Sequence, residues 1–388
     1  MLPKTVLVGF LSPREKMEQV HHHLDELAQL ADTAGLTVAK RFVQKTPKGA
    51  IGSIGKGKAS EIADYISLHQ IKLVILDKEL TPSQLKQLEK YWKCTIWDRS
   101  VLIMTIFKLN ASTSQAKTQV DLAWHERQLR YLTGRWSHHS RQQGGVGTRG
   151  PGEKELETDR RIVRQKIKIL KKKLDHIAQI SRTKRKHRQH KTRVALVGYT
   201  NAGKSTVMRY LANEEVYIAD KLFATLGSTV RKIMLDKTPI LLSDTVGFIR
   251  KLPHELIACF RSTLAEVREA SLLLHVVDFS NPCYEEHIQV VFQTLHEIGA
   301  GHIPMVIVLN KTDQVTAKEE DLPPGFENPK QVVFLEAERE RISLKYQRPT
   351  IFCSILHQEN TNLLKQIISR EVKKIRKNPK KSPYKKAL

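Results

Sequence analysis

RVALVGYTNAGKST, residues 193–206, runs from a short apolar stretch through a glycine loop into a helix start. Val194 to Val197 is β-branched and apolar, the composition of a buried parallel strand. Gly198 to Ser205 spells G-x-x-x-x-G-K-S, and Thr206 to Leu211 predicts a helix. Strand, loop and helix in that order are the context in which this pattern cradles phosphate. Gly198 and Gly203 let the backbone turn sharply, so that successive N–H groups of the loop carrying Tyr199, Thr200, Asn201 and Ala202 point inward at a triphosphate. The helix beginning at Lys204, Ser205 and Thr206 adds its positive N-terminal end. Lys204 supplies a point charge to the β- and γ-phosphates, and the Ser205 hydroxyl is a ligand for Mg2+.

Downstream residues complete the pocket. Ile240 to Ser243 reads as a strand ending at Asp244-Thr245-Val246-Gly247, which sets a carboxylate where magnesium needs one. Gly247 lets its N–H face the γ-phosphate. Two further buried strands, Leu272 to Val277 and Ile303 to Leu309, follow, and the second delivers Asn310-Lys311-Thr312-Asp313. The Asp313 carboxylate can accept from both N1–H and the 2-amino group of guanine, donors that adenine lacks there. The three motifs in this order select GTP over ATP. Between the first two lies LFATLGSTVR, residues 222–231. Phe223, Ala224 and Thr225 are read as a switch segment, with the Thr225 hydroxyl completing the magnesium shell and Thr229 as the competitor.

The remaining chain is unusual in its charge. Its 388 residues carry 65 Lys+Arg against 40 Asp+Glu, a net +25, while hydrophobic content is an ordinary 40%. That length allows two or three domains with adequate cores, and that charge calls for a polyanionic partner. Cys94, Cys259, Cys283 and Cys353 are scattered, so buried thiols in a reducing cytosol are expected rather than disulfides or a metal site. His21 to His23 read as surface residues of a charged helix. The opening MLPKTVLVGFL is too short an apolar run for a signal peptide, and no later run reaches membrane-span length. A cytoplasmic protein is the expectation.

Residues 1–111 alternate strands (Val6 to Phe10, Leu36 to Val43, Leu73 to Leu76, Thr95 to Trp97) with helices (Glu15 to Ala34, Lys58 to His69, Ser83 to Tyr91), predicting a small α/β domain with a largely parallel sheet. GSIGKGKASEI, residues 52–62, fits a helix-capping loop better than a nucleotide contact. Residues 112–190 predict a long antiparallel helical hairpin. Its first helix, Ser112 to Trp136, carries a Leu122, Leu129, Leu132, Trp136 stripe with Lys117, Arg127 and Arg130 facing solvent. Its second, Glu155 to His187, alternates steps of four and three through Val163, Ile167, Leu170, Leu174 and Ile177. Gly144, Gly145, Gly147, Gly150 and Gly152 keep the intervening loop irregular, while Arg141 and Arg149 charge it. Arg141, Gly144, Gly145, Gly147, Arg149 and Gly150 are therefore candidate RNA contacts, and a plain flexible linker is the alternative. A GTPase domain, residues 191–371, and a disordered basic tail, residues 372–388, complete the organisation.

GGVGTRGPGEKELETDRR, GYTNAGKST, LFAT and LLSDTVGFIRKLP, together with DKELTPSQ, WDRSVLIMTIF and AKTQVDLA, resemble motifs of the HflX family of translational GTPases. The resemblance covers roughly residues 5–315. It implies a factor that binds GTP and GDP, associates with the large ribosomal subunit, and splits stalled or idle ribosomes, with its glycine loop reaching toward the peptidyl-transferase centre. The chain departs from the family at Gly227-Ser228, and where members carry a guanine-supporting S-A-K/L motif it has Cys353-Ser354-Ile355. The basic tail stands where many members have a further small domain. Phe248 replaces the glutamine that orients water in many GTPases, so intrinsic hydrolysis is expected to be slow and ribosome-stimulated. Asn201 resembles the asparagine by which some related GTPases hold K+. A monomer off the ribosome is expected. Two other readings stay open: an assembly factor that binds ribosomal RNA without splitting ribosomes, and a GTPase recruited to membranes by its tail, against which the lack of an apolar face there argues.

Overall fold

Strand β1 (Lys4–Leu11) forms the interior of a parallel sheet because its centre, Val6 to Val8, is fully buried on both faces. The computed structural model describes residues 3–13, 15–45, 54–134, 151–186, 191–213, 222–223, 229–236, 238–253, 256, 264–315 and 329–377. The chain divides into two compact units, Met1–Gln179 with Lys251–Cys259, and Ile180–Arg250 with Phe260–Leu388.

In the first unit, β1 lies between β2 (Thr37–Lys45) and β3 (Leu73–Leu76), and β4 (Thr95–Asp98) follows β3, all parallel, in the order β2-β1-β3-β4. One face is covered by α2 (Lys56–His69) and α3 (Pro82–Trp92), which bury Ile62, Ile66, Leu88 and Trp92 against Val6, Val74 and Ile96. Helix α3 starts cleanly: Pro82 occupies its first turn, and Thr81 and Gln84 cap each other's backbone N–H groups. Gly55 is the N-cap of α2, in line with the capping reading of that loop, whose residues 52–53 lie outside the described set. Helix α1 (Met17–Thr33) packs on β1 and on α4 (Arg99–Asn110). His21 is exposed and His22 and His23 half-buried, and among the described residues no group of three or more His, Cys, Asp or Glu side chains could hold a metal.

Helix α4 has no counterpart in the sequence reading. RSVLIMTIFKLN is apolar nearly all round, with Leu102, Ile103, Met104, Ile106 and Phe107 buried, so it shows no single-faced periodicity to detect. Its N-cap, Asp98, accepts from the Val101 N–H at 2.9 Å. The hairpin forms as expected: α5 (Ser114–Gly134) and α6 (Pro151–Lys186) are joined by Arg160 donating to the Leu132 carbonyl at 2.7 Å and by a Lys171–Glu126 ion pair at 2.8 Å, an antiparallel register. Val163 and Ile167 of the predicted seam are buried. Two expectations are corrected. Gly152 lies in the first turn of α6, where Pro151 can start the helix at no hydrogen-bond cost. Arg127 is buried rather than solvent-facing: it pairs with Asp98 and donates to the Tyr131 hydroxyl at 2.7 Å.

The second unit has six strands in the order β10-β9-β8-β5-β7-β6, parallel except for β6 (Thr229–Leu235), which runs antiparallel to β7 (Thr238–Asp244). Strand β5 (Thr192–Gly198) is buried throughout, and β8 (Leu272–Asp278), β9 (Met305–Asn310) and β10 (Thr350–Phe352) extend the sheet beside it. The chain turns from β5 first toward β7 and then back to β8, which makes the carboxyl ends of β5 and β8 the crevice where α/β sheets bind ligands. Helix α7 (Lys204–Ala212) covers one face, α8 (Ala265–Arg268) closes a short turn, α9 (Tyr284–Glu297) and α10 (Pro329–Tyr346) cover the other, and α11 (Thr361–Lys377) ends the described chain. The basic tail therefore begins later than expected. Val372 is buried in the core with Leu364 and Ile368, which holds residues 373–377 in helix, while 378–388 lie outside the described set.

Candidate functional site

Strand β5 ends at Gly198, whose backbone allows no side chain: a β-carbon there would meet the Val276 carbonyl oxygen at 2.2 Å, at φ +155. The loop then passes Tyr199, Thr200, Asn201 (φ +58) and Ala202 to Gly203, the left-handed N-cap of α7. Lys204 folds back over this loop and its Nζ donates to the Tyr199 carbonyl at 2.6 Å. Burial pushes the Lys204 ammonium down to about 8, with the Asp244 carboxylate opposing. Ser205 Oγ donates to Asp244 Oδ2 at 2.7 Å, while Asp244 Oδ1 is buried with no partner. Burial raises the Asp244 carboxyl, and Lys204 and Ser205 pull it back. A hydroxyl beside a carboxylate with one oxygen unsatisfied is a hard-donor set that suits Mg2+.

The segment after Asp244 is laid against the phosphate loop. Thr245 Oγ1 donates to the Leu196 carbonyl at 2.6 Å. Phe248 N–H donates to the Gly198 carbonyl at 3.0 Å, and Thr200 N–H donates to the Phe248 carbonyl at 2.8 Å. Arg250 N–H donates to the Tyr199 hydroxyl at 2.8 Å, and the Tyr199 ring stacks on His287 of α9 with centroids 3.7 Å apart. Between these anchors Gly247 comes so close that a β-carbon would lie 3.0 Å from Lys204 Nζ. Val246 and Phe248 are buried.

Asn310 ties the loops together. Its Nδ2 donates to the Ala202 carbonyl at 3.1 Å, and its Oδ1 accepts from the Ile355 N–H at 3.3 Å. The Cys353 N–H donates to the Leu309 carbonyl at 2.8 Å, so Cys353-Ser354-Ile355 extends from β10 beside β9. Lys311, at φ +64, donates from Nζ to Asp278 Oδ2 at 2.7 Å, and Asp313 sits in the short turn Thr312–Gln314. The phosphate loop, Asp244 to Gly247, Asn310 to Asp313 and Cys353 to Ile355 thus converge at one end of the sheet. Phe223 is buried at φ +57, while Ala224 and Thr225 lie outside the described residues, as do Arg141, Gly144, Gly145, Gly147, Arg149 and Gly150. Thr229, the competitor to Thr225, opens strand β6 and pairs with Asp244 in the ladder.

Two side chains at the site carry no sequence signal. His275 lies inside the otherwise apolar strand LLLHVVD, and burial together with the Lys204 charge pushes its imidazole down to about 3. Tyr199 reads as an arbitrary loop position, and only the fold discloses that its ring and hydroxyl join the loop to α9 and to Arg250.

Family comparisons agree with this geometry. Residues 193–311 match the 50S ribosome-binding GTPase family, residues 21–108 a GTP-binding GTPase N-terminal family and residues 110–188 the corresponding middle region. The GTPase HflX of Flavobacterium psychrophilum is 49% identical over 314 residues, covering 80% of this chain and 75% of that relative. The chain belongs to the HflX family of GTPases. The Escherichia coli HflX is 40% identical over 327 residues, with 81% and 75% of the two chains covered. SsGBP, solved with GDP, has the same fold: 22% identity, TM-score 0.50, 97% of this chain and 99% of that chain covered. As an HflX GTPase the chain hydrolyses GTP to GDP and phosphate, in a family of phosphate-loop enzymes that generally uses Mg2+. Among the described residues no helix is long and apolar enough to cross a membrane.

Proposed function

We propose that this HflX GTPase is a cytoplasmic factor that binds the large ribosomal subunit when loaded with GTP, splits stalled or idle ribosomes by occupying their interface, and leaves after hydrolysis. The observation that carries this reading is the hairpin. Its seam is packed, yet Lys166, Lys168, Lys171, Lys172 and Lys173 of α6 all stand exposed, a cationic arm suited to RNA phosphates. The glycine-rich tip, with Arg141, Gly144, Gly145, Gly147, Arg149 and Gly150, is proposed to lay backbone against ribosomal RNA, and the basic residues after Lys377 to add salt-dependent affinity.

In the nucleotide pocket, Gly198 to Thr206 hold the phosphates, Asn310, Lys311 and Asp313 read guanine, and Cys353 to Ile355 support the base. Ser205 and Thr225 are the proposed direct ligands of Mg2+, with Asp244 behind them; the ion would neutralise charge on the β- and γ-oxygens. Lys204 neutralises charge gained by the bridging oxygen, and the Gly247 N–H faces the γ-phosphate. Asn201, exposed in the loop at φ +58, is the proposed ligand for a K+ ion, so replacing K+ by Na+ should slow turnover. Since GTP contacts Gly247 and Thr225 and GDP does not, the nucleotide favours one switch arrangement over the other.

Light scattering of intact ribosomes tests the reading. With a non-hydrolysable GTP analogue the signal should fall as subunits separate. An unchanged signal with retained binding would favour the assembly-factor alternative.

A further inference from the structure

Strand β8 ends on an acid that none of the nucleotide motifs includes. Asp278 lies opposite Asn310 in the β8–β9 ladder, at the root of the turn that carries Asp313. Its two carboxylate oxygens have different partners. Oδ2 accepts from Lys311 Nζ at 2.7 Å, and Oδ1 accepts from the Ser280 N–H at 3.1 Å and the Ser280 hydroxyl at 2.5 Å. The Asp278 and Lys311 side chains are only 17% and 24% exposed, so water screens this ion pair less than one on the open surface.

The backbone beside the pair needs support. Lys311 sits at φ +64, a left-handed conformation disfavoured for residues with a β-carbon, and lysine has no short polar group to bond its own backbone there. Lys311 is also the N-cap of the turn Thr312–Gln314. The Gln314 N–H donates to the Lys311 carbonyl at 3.1 Å, and the Phe279 N–H donates to the Asn310 carbonyl at 2.9 Å. The left-handed Lys311 therefore sets the direction in which the turn leaves β9, and with it where Asp313 stands. A strained residue persists where its surroundings hold it, and the ion pair to Asp278 fastens this one.

We propose that Asp278 is a positioning residue for guanine selectivity. By holding Lys311 it fixes the turn from which the Asp313 carboxylate meets N1–H and the 2-amino group of the base; this rests on the reading of Asp313 given above. The role needs no contact between Asp278 and the nucleotide. It does need a carboxylate, which offers an acceptor on each side. An amide has one oxygen and one NH2, so it keeps either Ser280 or Lys311 but not both.

Calorimetric titration of the full chain with GDP and with inosine diphosphate, which lacks the 2-amino group, reads the effect. The parent should prefer GDP about 10- to 100-fold. Asp278→Asn should weaken GDP about tenfold and inosine diphosphate no more than about threefold, so the preference contracts at least about threefold. Loss of a merely structural contact would weaken both nucleotides equally. Lys311→Met should contract the preference likewise, and the double variant should be no worse than the poorer single, because one interaction is removed in all three. An Asp278→Asn preference within about twofold of the parent, or a double variant whose losses add, would overturn the assignment. So would an Asp278→Asn chain that binds neither nucleotide, since a positioning role leaves the phosphate site intact. Asp313→Asn tests the reading beneath, and should favour xanthosine diphosphate, whose 2-oxygen accepts from an amide. If it does, an unchanged preference in Asp278→Asn counts against Asp278 alone; if it still favours GDP, the reading of Asp313 falls and this assignment falls with it.

Discussion

Gly203 and Asn310 should fail together rather than separately. A β-carbon at Gly203 would stand 2.4 Å from Asn310 Nδ2, so Gly203→Ala must swing the amide away. That movement breaks the bonds to the Ala202 carbonyl (3.1 Å) and from the Ile355 N–H (3.3 Å). Two buried hydrogen bonds are worth ~1–3 kcal/mol together. Alanine at φ +91 adds ~1–2 kcal/mol of backbone strain. Asn310→Ala loses the same two bonds with no strain. In the double variant the bonds are lost once, the clash is gone, and only the strain remains on top. The double variant should therefore cost ~1–3 kcal/mol less than the sum of the singles. In mant-GDP affinity each single change should weaken binding about 10- to 100-fold, and the double should resemble Gly203→Ala alone. Urea unfolding of the same four proteins separates stability from binding. Additive costs, within ~0.5 kcal/mol, would refute the reasoning.

The other predictions rest on single groups. Because the Lys204 ammonium is held near 8, the empty pocket loses its charge as pH rises through that value. GDP affinity should then fall about tenfold per pH unit above 8, a slope absent from Lys204→Ala; a flat parent profile to pH 9.5 would count against it. His275 stays neutral to about pH 3 in the native chain but protonates near 6.5 when unfolded, so acid favours unfolding. Stability should drop by ~1.4 kcal/mol per pH unit below 6.5 relative to a His275→Leu variant, read from urea midpoints at pH 7 and 4.5. Phe248→Gln should not speed hydrolysis, because that side chain is buried; it should instead destabilise the fold by ~1–3 kcal/mol, and a faster enzyme would show the side chain can reach the nucleotide. Arg127→Ala strands the buried Asp98 carboxylate and should cost ~3–5 kcal/mol in thermal or urea unfolding, whereas a surface arginine would cost under 1.

Both sheets and the hairpin were legible because their signals are local. Strand runs such as Val194 to Val197 and the Val163, Ile167 pair of the seam announce burial through spacing alone. The glycines of the pocket were legible because backbone space admits no larger residue: a β-carbon at Gly198, Gly203 or Gly247 would stand 2.2, 2.4 or 3.0 Å from its nearest neighbour. Helix α4 was hidden because burial on all sides erases periodicity. Strands β6 and β10 were hidden for other reasons: one is an exposed edge bearing Arg231 and Lys232, the other only three residues long. Arg127 illustrates a third kind of concealment, since an arginine on a helix looks solvated until a carboxylate from a distant strand is folded against it.

Co-sedimentation with purified large ribosomal subunits measures the central claim most directly. With a non-hydrolysable GTP analogue the protein should pellet with the subunit, and with GDP it should remain in the supernatant. Equal pelleting with both nucleotides, or none with either, would contradict the account.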